Sequence, residues 1–376
     1  MEEARIAELL TISEAAERMH VSRQTIYTWI RESKLKPVLT PGGRTRIPED
    51  QLIIKKWDLT EAVISNIFPI RDISELVPNR IEYMGTKEKY WFSRTEKHWY
   101  WDCEGQRFLF KAGREGTGDN WAEKVASELC ELLGLPHAEY DLAVYQGLKG
   151  VITPSFVPEG GARLETGNEI LAQYISGYEK TRRFRQSKHT LKVVLTLISK
   201  EAPELPIGWS GSDGINMAVD LFVGYLMLDA WIANQDRHHE NWGLVVVPET
   251  RSIHLAPTFD HASSLGRNEN DSNREQRLNT KDIGSNMDAY VKRARSAFYS
   301  TASDTKPLST LEAFVEAATR RRDAARFWLS KLEGISLSDP RSIIDRVPKE
   351  EMSNIAKEFS QRIIELNRQR LLATKL

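Results

Sequence analysis

The sequence predicts an α+β chain in three successive parts: a small helical unit, a β-rich lobe and a larger helical lobe. Three observations carry this. Residues 11–47 hold two short amphipathic helices followed by a Gly-Gly turn. Ile81–Lys111 is a succession of short runs rich in Ile, Tyr, Trp and Phe, separated by turn residues. Residues 165–335 return to helical spacing, and Pro348–Leu372 repeats it over a long tail.

Composition sets the outer bounds. At 376 residues the chain is long enough for two or three domains. Hydrophobic content of 40% and charged content of 28% are ordinary for a soluble globular protein. Fifty-two basic against fifty-three acidic residues leave a net charge of −1, so any nucleic-acid-binding face must be local. Two cysteines, Cys103 and Cys130, are too few for a disulfide framework or a zinc site, and a reducing cytoplasm is expected. The opening MEEARIAELL lacks the order of a signal peptide. The longest apolar stretch, Met217–Ala233, is interrupted by Asp220 and Asp229 and reads as a buried helix. No membrane partner is expected.

Residues 1–56 form the first unit. In TISEAAERMHVSRQTIYTWIRESKLKP, a first helix turns Ala15, Ala16 and Met19 inward, and small alanines permit close crossing by a second. His20-Val21 makes the turn, and Ser22 caps the second helix. Ile26, Trp29 and Ile30 bury one face of it, leaving Arg23, Gln24, Thr25 and Tyr27 or Thr28 outward. Pro41-Gly42-Gly43-Arg44-Thr45-Arg46-Ile47 then makes a tight hairpin presenting two arginines. From Arg18 to Arg46 there are seven Lys or Arg and one acid, Glu32, or 7 − 1 = +6, which is a local basic footprint. This stretch resembles the excisionase and MerR-type winged helix-turn-helix. The resemblance implies a DNA partner contacted through Arg23, Gln24, Thr25 and Tyr27, with Arg44 and Arg46 on the wing. A helical hairpin used only for protein contact is the alternative reading.

Residues 57–79, with Pro69 and Pro78, read as a linker with one short helix. The β-rich lobe, 80–160, follows. Ile81–Arg94, His98–Trp101 and Gln106–Lys111 are strand-like, and Gly85-Thr86-Lys87-Glu88-Lys89 is a turn inside the first run. Lys111 ends the apolar strand Phe108-Leu109-Phe110-Lys111. A helix over Asn120–Leu133 has Trp121, Val125, Leu129 and Leu132 as its apolar stripe, with Glu128 at the edge and Glu123 pointing away. Strands follow at Glu139–Val144 and Val151–Phe156.

The helical lobe, 161–376, contains the most informative stretch, WIANQDRHHENWGLVVVPETRSIHLAPTFDHASSLG over 231–266. Apolar runs Gly243–Val247 and Ile253–Ala256 flank the turn Pro248-Glu249-Thr250, so a hairpin brings Asn241 and Asp260 to the same end. Phosphoryl transfer from a nucleotide needs such a set: a carboxylate for the incoming hydroxyl's proton, and an amide oxygen with a second carboxylate for magnesium. Four histidines, His238, His239, His254 and His261, also raise a metal-hydrolase reading, which lacks a helical His-x-x-x-His or cysteine support.

Asp-Arg-His-x-x-Asn at 236–241 and TFDHASSLG at 258–266 resemble the HipA-like kinases and, more distantly, the phosphoinositide kinases. The resemblance implies a bilobal protein-kinase-like fold using ATP and Mg²⁺. On it, Asp236 is the catalytic base, His238 structures the loop, and Asn241 and Asp260 hold metal. The turn Gly85, Thr86, Lys87 and Lys89 becomes the phosphate loop, although it has only one glycine. Lys111 becomes the phosphate-pairing amine. Of the two acids open to it, Glu123 matches the family pattern of Glu, helix and Leu-Gly turn, whereas helical phase favours Glu128. The adenine-reading hinge falls near Pro154–Val157, including Phe156. Arg267–Thr280, polar and without period, falls where kinases carry an activation-type segment or a plain loop. The tail Pro348–Leu372 reads as one amphipathic helix including Met352, with Ser353 on its solvated face.

The leading functional expectation is an ATP- and Mg²⁺-dependent HipA-like Ser/Thr protein kinase with a protein substrate and its own DNA-binding module. HipA-like kinases act as toxins beside a separate DNA-binding antitoxin, so the fusion here sets the toxin–antitoxin assignment apart from the kinase chemistry. Control of its own promoter, as a homodimer on a palindromic site, is a further expectation. A lipid or small-molecule kinase, and a regulator that senses nucleotide without catalysis, are the alternatives.

Overall fold

The computed structural model describes residues 9–18, 26, 30, 35–39, 45–48, 67–74, 80–84, 87–93, 107–201, 204–209, 211–212 and 214–376. The described residues up to Pro48 belong to one compact unit and those from Ile67 onward to another.

In the first unit, strand β1 (Leu9–Leu10) leads into helix α1 (Ile12–Arg18), and β2 (Val38–Leu39) and β3 (Thr45–Pro48) follow. Thr11 and Glu14 start α1 reciprocally. The Thr11 backbone N–H donates to the Glu14 carboxylate at 2.7 Å, and the Glu14 N–H donates to the Thr11 hydroxyl at 3.1 Å. The strands lie in the order β1-β3-β2, all antiparallel. Leu10, Ala15, Ile26, Leu35 and Ile47 form a small core with Ile12 and Ile30 against it. The inward face expected at Ala15 and Ile26 is therefore buried, while Met19, Ser22 and Trp29 lie outside the described residues.

The second unit opens with β4 (Ile70–Asp72), β5 (Arg80–Met84), β6 (Lys87–Ser93) and β7 (Arg107–Ala112). Helix α2 (Asp119–Leu133) precedes β8 (Asp141–Tyr145) and β9 (Leu148–Pro154). These six strands form one sheet in the order β4-β8-β9-β7-β6-β5, antiparallel except for the β4–β8 pair. The β8–β9 turn has Gln146 at φ 49° and Gly147 at φ 83°, left-handed backbone that matches the strand twist. Part of the stretch expected as linker thus belongs to the sheet. Phe68 explains why: its buried ring packs into the core beneath the Arg346 guanidinium at 4.1 Å and the Lys124 ammonium at 4.8 Å.

Beyond the sheet come β10 (Arg163–Thr166), α3 (Gly167–Tyr174), α4 (Leu191–Glu201) and α5 (Ala218–Ile232). The hairpin β11 (Gly243–Val247) and β12 (Ser252–Leu255) pairs Leu244 with Leu255, and β10 adds to it as a third strand. Helices α6 (Asp271–Asn279), α7 (Met287–Lys292), α8 (Thr310–Arg320), α9 (Arg322–Gly334), α10 (Ser338–Asp345) and α11 (Asn354–Leu372) complete the lobe.

Helix α5 is the centre of this lobe: all fifteen of its residues are buried, and α8, α9 and α11 pack around it. Its two acids are partnered rather than exposed. Asp220 accepts from the Arg321 guanidinium at 2.6 and 2.8 Å. Among the described residues no helix is long and apolar enough to cross a membrane.

Two expectations are corrected here. Residues 267–280 are not aperiodic loop throughout, because α6 forms over Asp271–Asn279. Its start is fixed by the Asn270 side chain, which accepts the Asn273 N–H at 2.8 Å. The tail helix begins at Asn354 and not earlier. Ser353 is its cap, accepting the Ala356 N–H at 3.2 Å and donating to Asp271 at 2.9 Å, whereas Met352 lies before the helix and is buried. Capping chemistry outweighs composition at both ends.

Gly224 lets α5 approach α9: a Cβ there would lie 2.6 Å from the Trp328 ring. Gly224→Val should therefore cost about 2–3 kcal/mol by overpacking. The check is a shift in denaturant midpoint at constant slope; an unmoved midpoint would show that Trp328 gives way freely.

Candidate active site

The site begins with a charge placed inside α5. Asp229 sits in the buried helix and receives the Arg237 guanidinium at 2.7 and 2.8 Å and the Asn234 amide at 2.8 Å. Arg237 is 1% exposed, and a further guanidinium N–H donates to the Asn241 carbonyl at 3.0 Å. Burial opposes its charge, but the Asp229 carboxylate more than compensates, so the guanidinium is held charged. Residues 233–241 are thereby clipped at both ends to α5. Ala233 turns the chain out of the helix in left-handed backbone at φ 54°.

Three of the expected site residues lie on this loop. Asp236 is partly exposed, and its carboxylate accepts the Ser263 hydroxyl at 3.2 Å. Asn241 is buried and uses its amide N–H on the Asp236 carbonyl at 2.7 Å, which leaves its amide oxygen available. His238 accepts the Glu240 backbone N–H on Nδ1 at 3.1 Å, so its proton sits on Nε2, 3.6 Å from the Asp236 carboxylate. Burial pushes the His238 pKa down, and the ring is neutral at pH 7.

The hairpin delivers the opposite wall. Asp260 follows β12 with φ 59°, an uncommon left-handed backbone for a residue with a side chain. Its carboxylate meets the Lys111 ammonium at 2.7 Å. Lys111 emerges from β7 with its side chain 9% exposed, and the Glu123 carboxylate of α2 stands 3.6 Å away. Burial works against the lysine's charge, yet Asp260 and Glu123 outweigh it and hold its pKa well above the usual range. Burial raises the Glu123 pKa against the attraction of Lys111. Glu128 is engaged elsewhere, with Lys124 at 2.6 Å and Arg346 at 3.4 Å. Of the two acids left open by the sequence, the structure thus brings Glu123 to Lys111, because residues 119–127 of α2 are buried on every face, whereas Leu132, expected in the apolar stripe, is exposed.

Lys111, Asn241 and Asp260 line a cleft of about 750 Å³, together with Leu109, Tyr140 and Phe156 among others. That volume accommodates a nucleotide-sized ligand. Phe156 packs on Phe259 with ring centroids 5.5 Å apart, so the stretch expected to read adenine joins the segment carrying Asp260. Gly85 and Thr86 lie outside the described residues, as do the side chains of Lys87 and Lys89, whose backbone is in β6. Arg23, Gln24, Thr25, Tyr27 and Arg44 also lie outside them. Arg46 is partly buried in β3 and donates to the Thr45 carbonyl at 3.0 Å.

Several participants escaped the sequence reading. Tyr140, Asn234, Ser263 and the Asp229–Arg237 pair carry no spacing signal of their own. Only the oddity of an acid within an apolar helix marked Asp229. Arg267 and Asp119 form a buried ion pair, and Arg267 also donates to Ser263 at 2.9 Å. The histidines have separate occupations: His254 bonds the Leu205 carbonyl and Ser252, and His261 bonds Thr258. Among the described residues no group of three or more His, Cys, Asp or Glu is placed to hold a metal ion.

The tryptophan after Asn241 donates to a buried histidine: Trp242 Nε1 lies 3.1 Å from His189 Nε2, and His189 Nδ1 bonds the Ala297 carbonyl at 3.0 Å. Burial pushes the His189 pKa down to about 3. The unfolded chain takes up a proton that the folded chain refuses. The stability held by neutral His189 is thus complete above about pH 6.5 and falls as the pH drops toward about 3, at about 1.4 kcal/mol per pH unit. Denaturant unfolding at pH 7, 6 and 5 should show this slope, and His189→Gln should flatten it.

Similarity to known proteins lies in the fold and in the N-terminal domain. Residues 9–53 match the family model of a helix-turn-helix domain. Sequence comparison with curated proteins gives no match. Among solved structures, the Helicobacter pylori proinflammatory kinase CtkA is similar with a TM-score of 0.59 and 21% identity, over 82% of this chain and all of that one. The Shewanella oneidensis toxin–antitoxin complex of HipA, HipB and operator DNA aligns at a TM-score of 0.48 and 13% identity, over 96% of this chain and 84% of that one. The chain therefore joins a helix-turn-helix domain at its N-terminal end to a body with the α+β fold of the CtkA kinase.

Proposed function

We propose that this chain is an ATP- and Mg²⁺-dependent Ser/Thr protein kinase of HipA-like type, carrying its own DNA-binding module and working in the cytoplasm. The observation that carries this reading is the convergence on one cleft of Lys111, Asp260 and Asn241, with Lys111 2.7 Å from Asp260 and 3.6 Å from Glu123.

Each residue has a role that its surroundings support. Glu123 orients the Lys111 ammonium, which pairs with nucleotide phosphates. The Asn241 amide oxygen and the Asp260 carboxylate are a sparse, all-oxygen donor pair. Such a pair suits magnesium, which keeps waters and substrate phosphates as its other ligands. When bound, the ion neutralises charge on the transferring phosphoryl group. Asp236, steadied by Ser263, accepts the proton of the incoming hydroxyl, and neutral His238 holds the loop. Leu109, Tyr140 and Phe156 enclose the base. The lobes are 80–160 and 161–376, the helix-turn-helix unit is 1–56, and 57–79 runs between them, its Ile70–Asp72 stretch being a strand of the sheet.

DNA binding places Arg23, Gln24, Thr25 and Tyr27 at the major groove, with Arg44 and Arg46 on phosphates. A homodimer would match a palindromic operator and allow the kinase to govern its own promoter.

Asp236→Asn should lower phosphoryl transfer by about 10²–10⁴-fold while ATP binding persists. Incorporation of labelled phosphate from ATP with magnesium, followed by mass spectrometry of the chain and of lysate proteins, is the test. Undiminished incorporation would remove Asp236 as base. Arg46→Ala should weaken binding to promoter DNA and reduce its salt slope by about 1; an unaltered slope would take Arg46 off the phosphate backbone.

A further inference from the structure

The segment joining α3 to α4, residues 175–190, carries Lys180, Arg182, Arg183, Arg185 and Lys188 against one acid, Glu179. It has no helix or strand, yet it is firmly tied. The Lys188 ammonium donates to the Ser176 and Gly177 carbonyls, both at 2.9 Å, and Gln186 donates to the Glu179 carbonyl at 3.1 Å. Two further contacts fasten the segment to the loop that carries Asp236. The Tyr178 hydroxyl meets His239 Nδ1 at 2.7 Å, and the Arg183 guanidinium meets the Glu240 carboxylate at 2.8 Å.

What this anchored loop presents is unusual. Phe184 is 64% exposed, with its ring edge-on to His238 at 6.0 Å between centroids. Arg185, exposed beside it, holds left-handed backbone at φ 56°. Strain of that kind persists where the surroundings impose it, and it clusters at binding sites. Lys180 and Arg182 are exposed as well, Arg182 reaching only the exposed Glu179 at 3.6 Å. An aromatic ring thus stands beside His238 on the loop that carries the proposed base, with three exposed cations flanking it in sequence.

We propose that residues 180–185 form the acceptor-docking surface and take an acidic peptide segment adjacent to the hydroxyl that is phosphorylated. The proposal rests on the kinase reading and names its substrate class. Arginine forks pair with carboxylates in two parallel bonds, and complementary charge sets specificity and register. Phe184 would cover an apolar side chain near the acceptor residue. A short peptide fits better than nucleic acid, because the carboxylates of Glu179 and Glu240 interrupt the cationic tip through the Arg182 and Arg183 contacts. A continuous phosphate backbone would run onto them. One exposed ring is too little apolar surface for a lipid bilayer.

The test is anisotropy binding to the full chain of labelled peptides around a single serine, one Glu-rich and one with Gln in place of each Glu. Single-stranded RNA and phosphatidylserine vesicles serve as competitors, and the Arg182→Glu/Arg185→Glu double variant as control. The acidic peptide should bind about tenfold tighter than the neutral one, and the double variant should lose that preference with ATP binding unchanged. Phosphorylation of the acidic peptide should show a raised KM and unchanged kcat in the variant. If the charge-reversed chain does not fold, Arg182→Gln/Arg185→Gln gives the same readout. Equal binding of the two peptides, or loss of RNA or vesicle binding alone in the variant, overturns the proposal. Selective binding without phosphate transfer would retain the docking surface and sink the kinase reading, so the two failures are distinct.

Discussion

The buried pair of Asp229 and Arg237 is the constraint on which the site depends. A carboxylate in a helix that shows no face to water is costly unless paired and hydrogen-bonded. Here its oxygens take two guanidinium N–H groups and an amide, so the cost is offset inside one small network. Breaking such a pair by removing one partner typically costs about 3–5 kcal/mol. A third Arg237 N–H reaches the Asn241 carbonyl, so one cation spans the loop and holds Asp236 and Asn241 in a fixed relation.

From that anchor the rest of the site is assembled by topology. Helix α5 brings the loop out of the core, the β11–β12 hairpin returns the chain, and the Leu265 N–H closes onto the Ile232 carbonyl at 2.9 Å. The six-stranded sheet supplies Lys111 from a central strand, and α2 supplies Glu123. The charge on Lys111 survives its burial because two carboxylates face it. A second polar path runs from Asp236 through Ser263 and Arg267 to Asp119 at the start of α2, so the proposed base and the helix bearing Glu123 share one bonded chain.

The small N-terminal unit obeys a different economy. Among the described residues five buried ones make up its core, with a reciprocal cap and a three-stranded antiparallel sheet. Its basic footprint is local in a chain of net charge −1, so recognition of DNA would be confined to this unit and not spread over the surface.

The sequence by itself determined the parts whose signal is local. Apolar runs around Pro-Glu-Thr predicted the hairpin, and Asp236, Asn241 and Asp260 stood out because phosphoryl transfer needs those groups in that spacing. The inward positions Ala15 and Ile26 followed from period. Only the tertiary structure decided what depends on distant partners. Glu123 rather than Glu128 faces Lys111, because residues 119–127 of α2 are buried on every face and helical phase there carries no information. Residues 271–279 became helix through the Asn270 cap despite a polar composition. Ile70–Asp72 joined the sheet because Phe68 found cations above its ring. Asp229, legible only as an interruption, acquired its role from an arginine eight residues away that folds back against it. Periodicity records which face a segment buries, whereas pairing across the fold is set by packing that no single segment encodes.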